Sequence, residues 1–210
     1  MNDIINLNVK TFSKEFMFNL GELFALGKKV SINNIEEVNA KIAEERSLGY
    51  AKSFNMMINY WAQNSLFVNL KNIQPKNNNI FLICPVRNAT EKEKADLHKL
   101  INLYEQSGYH VHYPERNTNQ NPVVNGINTG GFNICAENAK AIAEAQTVVV
   151  FYNKQSTGSM FDLGVTYQLM QQDPKRKLIL ANNFEYDELN IIDQKLVHML
   201  NMPKESEQSK

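Results

Sequence analysis

Across 210 residues, 22 Lys and Arg stand against 22 Asp and Glu, so no global field draws this chain to nucleic acid or to an anionic membrane. Its 43% hydrophobic content suffices for a substantial buried core, which argues against a disordered or fibrous chain. Two distant cysteines, Cys84 and Cys135, exclude a disulfide scaffold, and neither a signal peptide nor an apolar run of spanning length is read; the expectation is a soluble cytoplasmic protein.

The first 75 residues predict an α-helical extension. Phe12, Phe16, Leu20, Leu23 and Phe24 recur at three- and four-residue steps, giving an amphipathic helix that stops near Gly27. A second helical stretch runs from about Asn34 towards Leu70, with Gly49 as a break. Its bulky segment Phe54 to Phe67 suits packing on the second domain, with a dimer interface as the alternative. A polar breaker, Gln74-Pro75-Lys76-Asn77-Asn78-Asn79, ends this part.

Beyond the breaker, strands and helices alternate. Ile80 to Val86 reads as a buried strand, and Thr90 with Glu93 forms a capping-box pattern for a helix ended by Gly108. Tyr109 to Tyr113 is the next strand, followed by a long polar loop, Glu115 to Gly130. A helix over Asn133 to Ala145, a strand from Thr147 to Tyr152, a helix over Ser159 to Gln171, a strand over Lys177 to Ala181 and a last helix from Glu188 complete the pattern. Repeated βα units predict an α/β domain over residues 80–202, with a parallel sheet and helices on both faces. Residues 203–210 read as a polar tail.

The most informative stretch is Ser156-Thr157-Gly158-Ser159-Met160-Phe161-Asp162-Leu163-Gly164. In an open α/β sheet, ligands bind where a strand's carboxyl end meets a helix N-terminus. Gly158 lets backbone approach a ligand, Ser156 and Ser159 offer hydroxyls, and Asp162 is expected in the first helical turn, where the dipole favours a carboxylate. The same residues also suit an ordinary capped helix start. Pro85 and the residues after it would line the same crevice. The loop is rich in amides, Asn119 and Gln120 among them, which donate and accept together and so suit a base edge or sugar hydroxyls; a solvated loop has the same composition.

Other reactive side chains read as structural. Cys84 lacks a histidine placed to activate it and suits a buried thiol. His110 and His112 share one face of a strand without the spacing of a metal site, and His98 lies on a charged helix.

Residues 80–182 resemble the nucleoside 2-deoxyribosyltransferase-like superfamily, which includes nucleoside 5′-monophosphate N-glycosidases. The likeness is carried by Phe81-Leu82-Ile83-Cys84-Pro85-Val86-Arg87, by Asn138 to Ala145, and by Thr147 to Val150 leading into the Ser-x-Gly-x-x-x-Asp-Leu-Gly turn. It implies a Rossmann-like or flavodoxin-like fold and cleavage of an N-glycosidic bond through an oxocarbenium-like transition state. The family's catalytic Glu aligns with Asp162, one methylene shorter, and its usual Asp on the preceding helix aligns with Asn138, which can hold a base but cannot act as a general acid.

The resemblance further implies that Arg87, Ser156, Gly158 and Ser159 hold a 5′-phosphate, since Ser156 stands where nucleoside-using members carry Asp. Asn119 and Gln120 would contact base or sugar. A nucleotide or nucleoside ligand, no cofactor or metal, and a homodimer or larger assembly follow from it. The shortened carboxylate and Asn138 also suit a second reading, a catalytically silent nucleotide-binding or sensing module.

Overall fold

A computed structural model describes residues 4–7, 13–34, 36–37, 69–70, 72–86, 89–120, 130–153 and 156–182. The helix expected from Asn34 to Leu70, Arg87 and the last helix and tail therefore lie wholly or mostly outside the described residues.

The N-terminal part is not all helical. Strand β1 (Ile4–Leu7) leads to helix α1 (Lys14–Ala25) and strand β2 (Lys29–Ile32), and the two strands pair in parallel. Val30 and the β-branched Ile4, Ile5 and Ile32 favour extended backbone, and a four-residue strand is too short to show a periodicity in sequence. Ser13 caps α1 by accepting from the Phe16 amide, and Gly27 leaves it at φ 65°.

The main sheet contains β3 (Lys76–Ile83), β4 (His110–His112), β5 (Ala145–Val150) and β6 (Lys177–Leu180), in the order β4-β3-β5-β6 and parallel throughout. Helix α2 (Glu91–Gln106) starts on the expected capping box, Thr90 and Glu93 each bonding the other's backbone amide. A short helix α3 (Pro114–Asn117) occupies the start of what the sequence reads as loop; Pro114 sits at its first turn, where its missing N–H costs nothing. Helices α4 (Gly130–Glu144) and α5 (Thr157–Gln172) follow.

Alternation along β3 divides the core. Ile80, Leu82 and Cys84 face α2 through Leu97 and Ile101. Phe81 and Ile83 face the other way, into a larger cluster built from α1, α4 and α5. Helices thus cover both faces, as the βα alternation predicts.

Helix α1 belongs to that larger core: Met17, Phe18, Leu20 and Phe24 are buried with Phe161 and Leu163 of α5. The two helices touch backbone to backbone at Gly21 and Gly164. A Cβ at Gly164 would fall inside the Phe18 carbonyl oxygen, and one at Gly21 inside the Phe161 carbonyl oxygen. With the sheet on one side and α1 on the other, α5 is buried continuously from Ser159 to Thr166. The amphipathic helix expected there is instead buried nearly all round over this stretch, with polar Ser159, Asp162 and Thr166 enclosed among its apolar residues.

Candidate functional site

The connections leaving β3 and β5 run to opposite faces of the sheet, β3 to α2 and β5 to α5. Between such strands the carboxyl ends open a crevice that no crossover fills, and ligands of open α/β sheets bind there. Buried Cys84 and Pro85 continue β3 at this edge, while Phe151, Tyr152 and Asn153 continue β5.

Helix α5 begins beside that edge. Ser156 is its N-cap: its Oγ accepts from the Ser159 amide at 3.3 Å and from the Ser159 hydroxyl at 2.8 Å. Both Ser159 donors end on Ser156, which leaves the Ser156 proton for another acceptor. Ser159 is itself buried, and space is open within 4 Å of where a Gly158 Cβ would stand. The arrangement of a capped start and an open glycine matches the expected turn.

Asp162 differs from expectation. Since α5 starts at Thr157, this carboxylate lies in the second turn, where all helix N–H groups are already bonded within the helix. It is 7% exposed and faces α4, where the Asn138 amide nitrogen donates to Oδ1 and Oδ2, both at 3.3 Å. Burial pushes the carboxyl up to about 7, and the Asn138 bond pulls weakly the other way. Two buried thiols share its surroundings, Cys84 from the end of β3 and Cys135 from α4. Each is pushed up by burial first and by the Asp162 charge second. Both are free cysteines held as thiols, which removes nucleophilic chemistry from them.

Asn138 is in turn held from behind. The Thr118 hydroxyl donates to its Oδ1 at 2.8 Å, and Thr118 Oγ1 lies 2.9 Å from His112 Nε2. His112 stacks on Phe81 at 5.2 Å, and burial with the Arg116 charge pushes it down to about 4. Thr118 and His112 were not legible as site partners: no motif marks a threonine in a polar segment, and His112 carried only a weak metal signal.

The remaining expected contacts are described in part. The Asn119 backbone N–H donates to Glu137 Oε2 at 3.1 Å, and the Gln120 side chain turns back onto the carbonyls of Pro114 and Thr118. Next to Cys84, the Tyr113 hydroxyl donates to Glu115. On the other side of the β5 edge, Asn153 donates to Glu93 at 3.1 Å. His110 and His98 are exposed, the latter edge-on to Tyr113.

Among the described residues no group of three or more His, Cys, Asp or Glu could hold a metal ion, and no helix is long and apolar enough to cross a membrane. What the arrangement can do is hold one buried carboxyl, its proton affinity raised by burial, beside the carboxyl end of β3 and aimed by an amide. Such a group can stabilise a nearby cation or move a proton. Comparison with protein-family models, curated proteins and solved structures found no match.

Proposed function

We propose that this chain is a Rossmann-like member of the nucleoside 2-deoxyribosyltransferase-like group, acting on the N-glycosidic bond of a nucleoside 5′-monophosphate or a modified nucleoside. The observation that carries the reading is the Asn138–Asp162 pair, a buried carboxylate held by an amide close to the end of β3.

The chemistry follows from charge. As the C1′–N bond lengthens, its electron pair leaves with the base and positive charge spreads over C1′ and the ring oxygen. An ionised Asp162 in a water-poor site stabilises that cation far more than the same group in water would. Water or a second base then attacks C1′, completing hydrolysis or transfer, and the base nitrogen takes up a proton. In hydrolysis the water that adds to C1′ releases the proton that the base takes up, since an ionised Asp162 has none to give. Asn138 orients the carboxyl and carries no acid of its own. Ser156, with Gly158, Ser159 and Arg87, would take the 5′-phosphate at the start of α5, where helix amides favour an anion. Pro85 would wall the crevice, Asn119 and Gln120 would meet base or sugar, and a second copy of the chain would complete the site.

The test is base release from a panel of ribo- and deoxyribonucleosides and their 5′-monophosphates, followed by chromatography, with Asp162→Ala as control. Release confined to monophosphates and lost in the variant is expected. No release from any of them overturns the reading. A silent nucleotide-binding or sensing module is the second reading, favoured by the enclosure of Asp162 and by the Asn138 bonds to both its oxygens. In that case ligands raise the melting temperature without release, and Asp162→Ala keeps affinity.

A further inference from the structure

The Asn138 amide points one way in this structure, which sets the direction of the bonds around it. Its nitrogen donates to Asp162, so its oxygen faces Thr118. Thr118 has a single hydroxyl proton, and that proton is given to Asn138 Oδ1 at 2.8 Å. Thr118 Oγ1 then accepts from His112, 2.9 Å away, in the tautomer that carries its proton on Nε2. The chain therefore runs His112 to Thr118 to Asn138 to Asp162, spanning β4, the segment after α3, and helices α4 and α5. Thr118 and Asn138 are buried, so an unmade bond in this chain would not be replaced freely by solvent.

An asparagine amide can present either end. With nitrogen towards the carboxyl it donates to the ionised form; with oxygen towards it, it repels that form and accepts from the protonated one. We propose that Thr118 and His112 are positioning residues that lock the Asn138 amide nitrogen-first onto Asp162 and so favour its ionised, cation-stabilising form. The inference rests on the reading of Asp162 as the working carboxylate, but its geometry stands apart from turnover. Among the described residues, the titratable groups facing Asp162 are the Cys84 thiol from the end of β3 and the Cys135 thiol from α4, both neutral through the working range. Neither would mimic the effect.

The test is the titration midpoint of Asp162, followed by its carboxyl infrared band and assigned by the loss of that band in Asp162→Asn. Thr118→Val removes the donor to Asn138 while keeping the shape, and its midpoint is expected to rise by roughly half a unit to one unit, the size of one lost hydrogen bond to the charged form. Thr118→Ser keeps the hydroxyl and should restore the original midpoint. His112→Phe keeps the stack on Phe81 without a donor and should move the midpoint up by less, while His112→Gln retains a donor and should not. Unchanged midpoints in both Thr118→Val and His112→Phe overturn the proposal, as does an equal shift in the Ser and Gln variants, which would reflect packing alone. Should Thr118→Val fail to fold, the His112 pair decides. Because the readout is protonation, a protein that releases no base can still pass or fail this test.

Discussion

The backbone at Gly164 of α5 lies against the carbonyl oxygen of Phe18 in α1, too close to admit any side chain. The reciprocal approach, Gly21 against the Phe161 carbonyl, makes the crossing of the two helices a contact of main chains. Gly164 is the last residue of the Ser-x-Gly-x-x-x-Asp-Leu-Gly stretch, and its role in this fold is packing. A methyl at either glycine forces the helices apart, and α5 cannot retreat because the sheet lies behind it. Gly164→Ala is expected to cost about 3 kcal/mol or more, despite alanine's better helix propensity. Gly158→Ala, with open space around it, should leave the denaturation midpoint unchanged or raised while weakening any ligand that approaches the backbone there. Chemical denaturation of the two variants side by side checks both; equal stabilities would refute the crossing.

Burial of Asp162 has a stability consequence with a definite sign. The folded chain holds its proton up to about 7, whereas an unfolded Asp releases it near 3.8. Between these values the native state binds more protons than the unfolded state, so stability falls as pH rises through that window. About three units at 1.36 kcal/mol each puts the full effect at roughly 4 kcal/mol. Asp162→Asn removes this loss. The variant should be more stable than the parent at pH 8 and lose its advantage below pH 4, measured by denaturant unfolding at both values.

Much of the α/β domain was legible because its signals are local. Thr90 and Glu93 announce α2, Gly108 closes it, and the unbroken apolar run through Ile80 to Ile83 announces a strand buried on both faces. The N-terminal strands were not, because Ile4–Leu7 and Lys29–Ile32 are four residues each and gain their hydrogen bonds only from one another. The segment from Glu115 reads as loop since a single helical turn leaves no periodicity. Asp162 and Asn138 are singled out together only by the family resemblance, and the depth at which Asp162 lies is marked by neither residue's spacing. Its burial is set by α4 and the end of β3, whose Asn138, Cys135 and Cys84 surround it from at least 24 positions away. Thr118 and His112 join the site only through tertiary hydrogen bonds, which leave no mark on sequence spacing.

Arg176, just before β6, is a buried cation with a structural task. Its guanidinium donates to the carbonyls of Ile142, Ala143 and Ala145, at 3.0, 2.8 and 2.8 Å, where α4 ends and β5 begins. A cation suits a helix C-terminus, and the helix has no glycine cap to satisfy these oxygens. Its Nε lies 3.6 Å from Asp173. Arg176→Leu would leave three acceptors without their donor and is expected to cost about 3 kcal/mol. Arg176→Lys should recover only part of that, since an ammonium cannot reproduce the planar fork. Thermal unfolding of the pair would show it; equal loss in both variants would mean that the charge, rather than the fork, matters little.

His112 and Asp162 oppose one another in their response to acid. The histidine is held down at about 4 from 6.5, so between those values the unfolded chain binds its proton and the folded chain does not. Over the same window the Asp162 proton is bound only in the folded chain. The two slopes of stability against pH have opposite signs and cancel, leaving the pair nearly silent between pH 4 and 6.5. Removing one member exposes the other. His112→Gln keeps the hydrogen bond to Thr118 but cannot titrate, so its stability relative to the parent should fall as pH rises from 4 to 6.5. Asp162→Asn should show the reverse trend. Groups unchanged between variants and parent, such as Glu93, whose carboxyl is lowered by its bonds to Thr90, drop out of the difference. Melting temperatures of the three proteins at half-unit steps of pH provide the measurement. Curves that run parallel through the window would mean that the two groups do not titrate on unfolding as their burial requires.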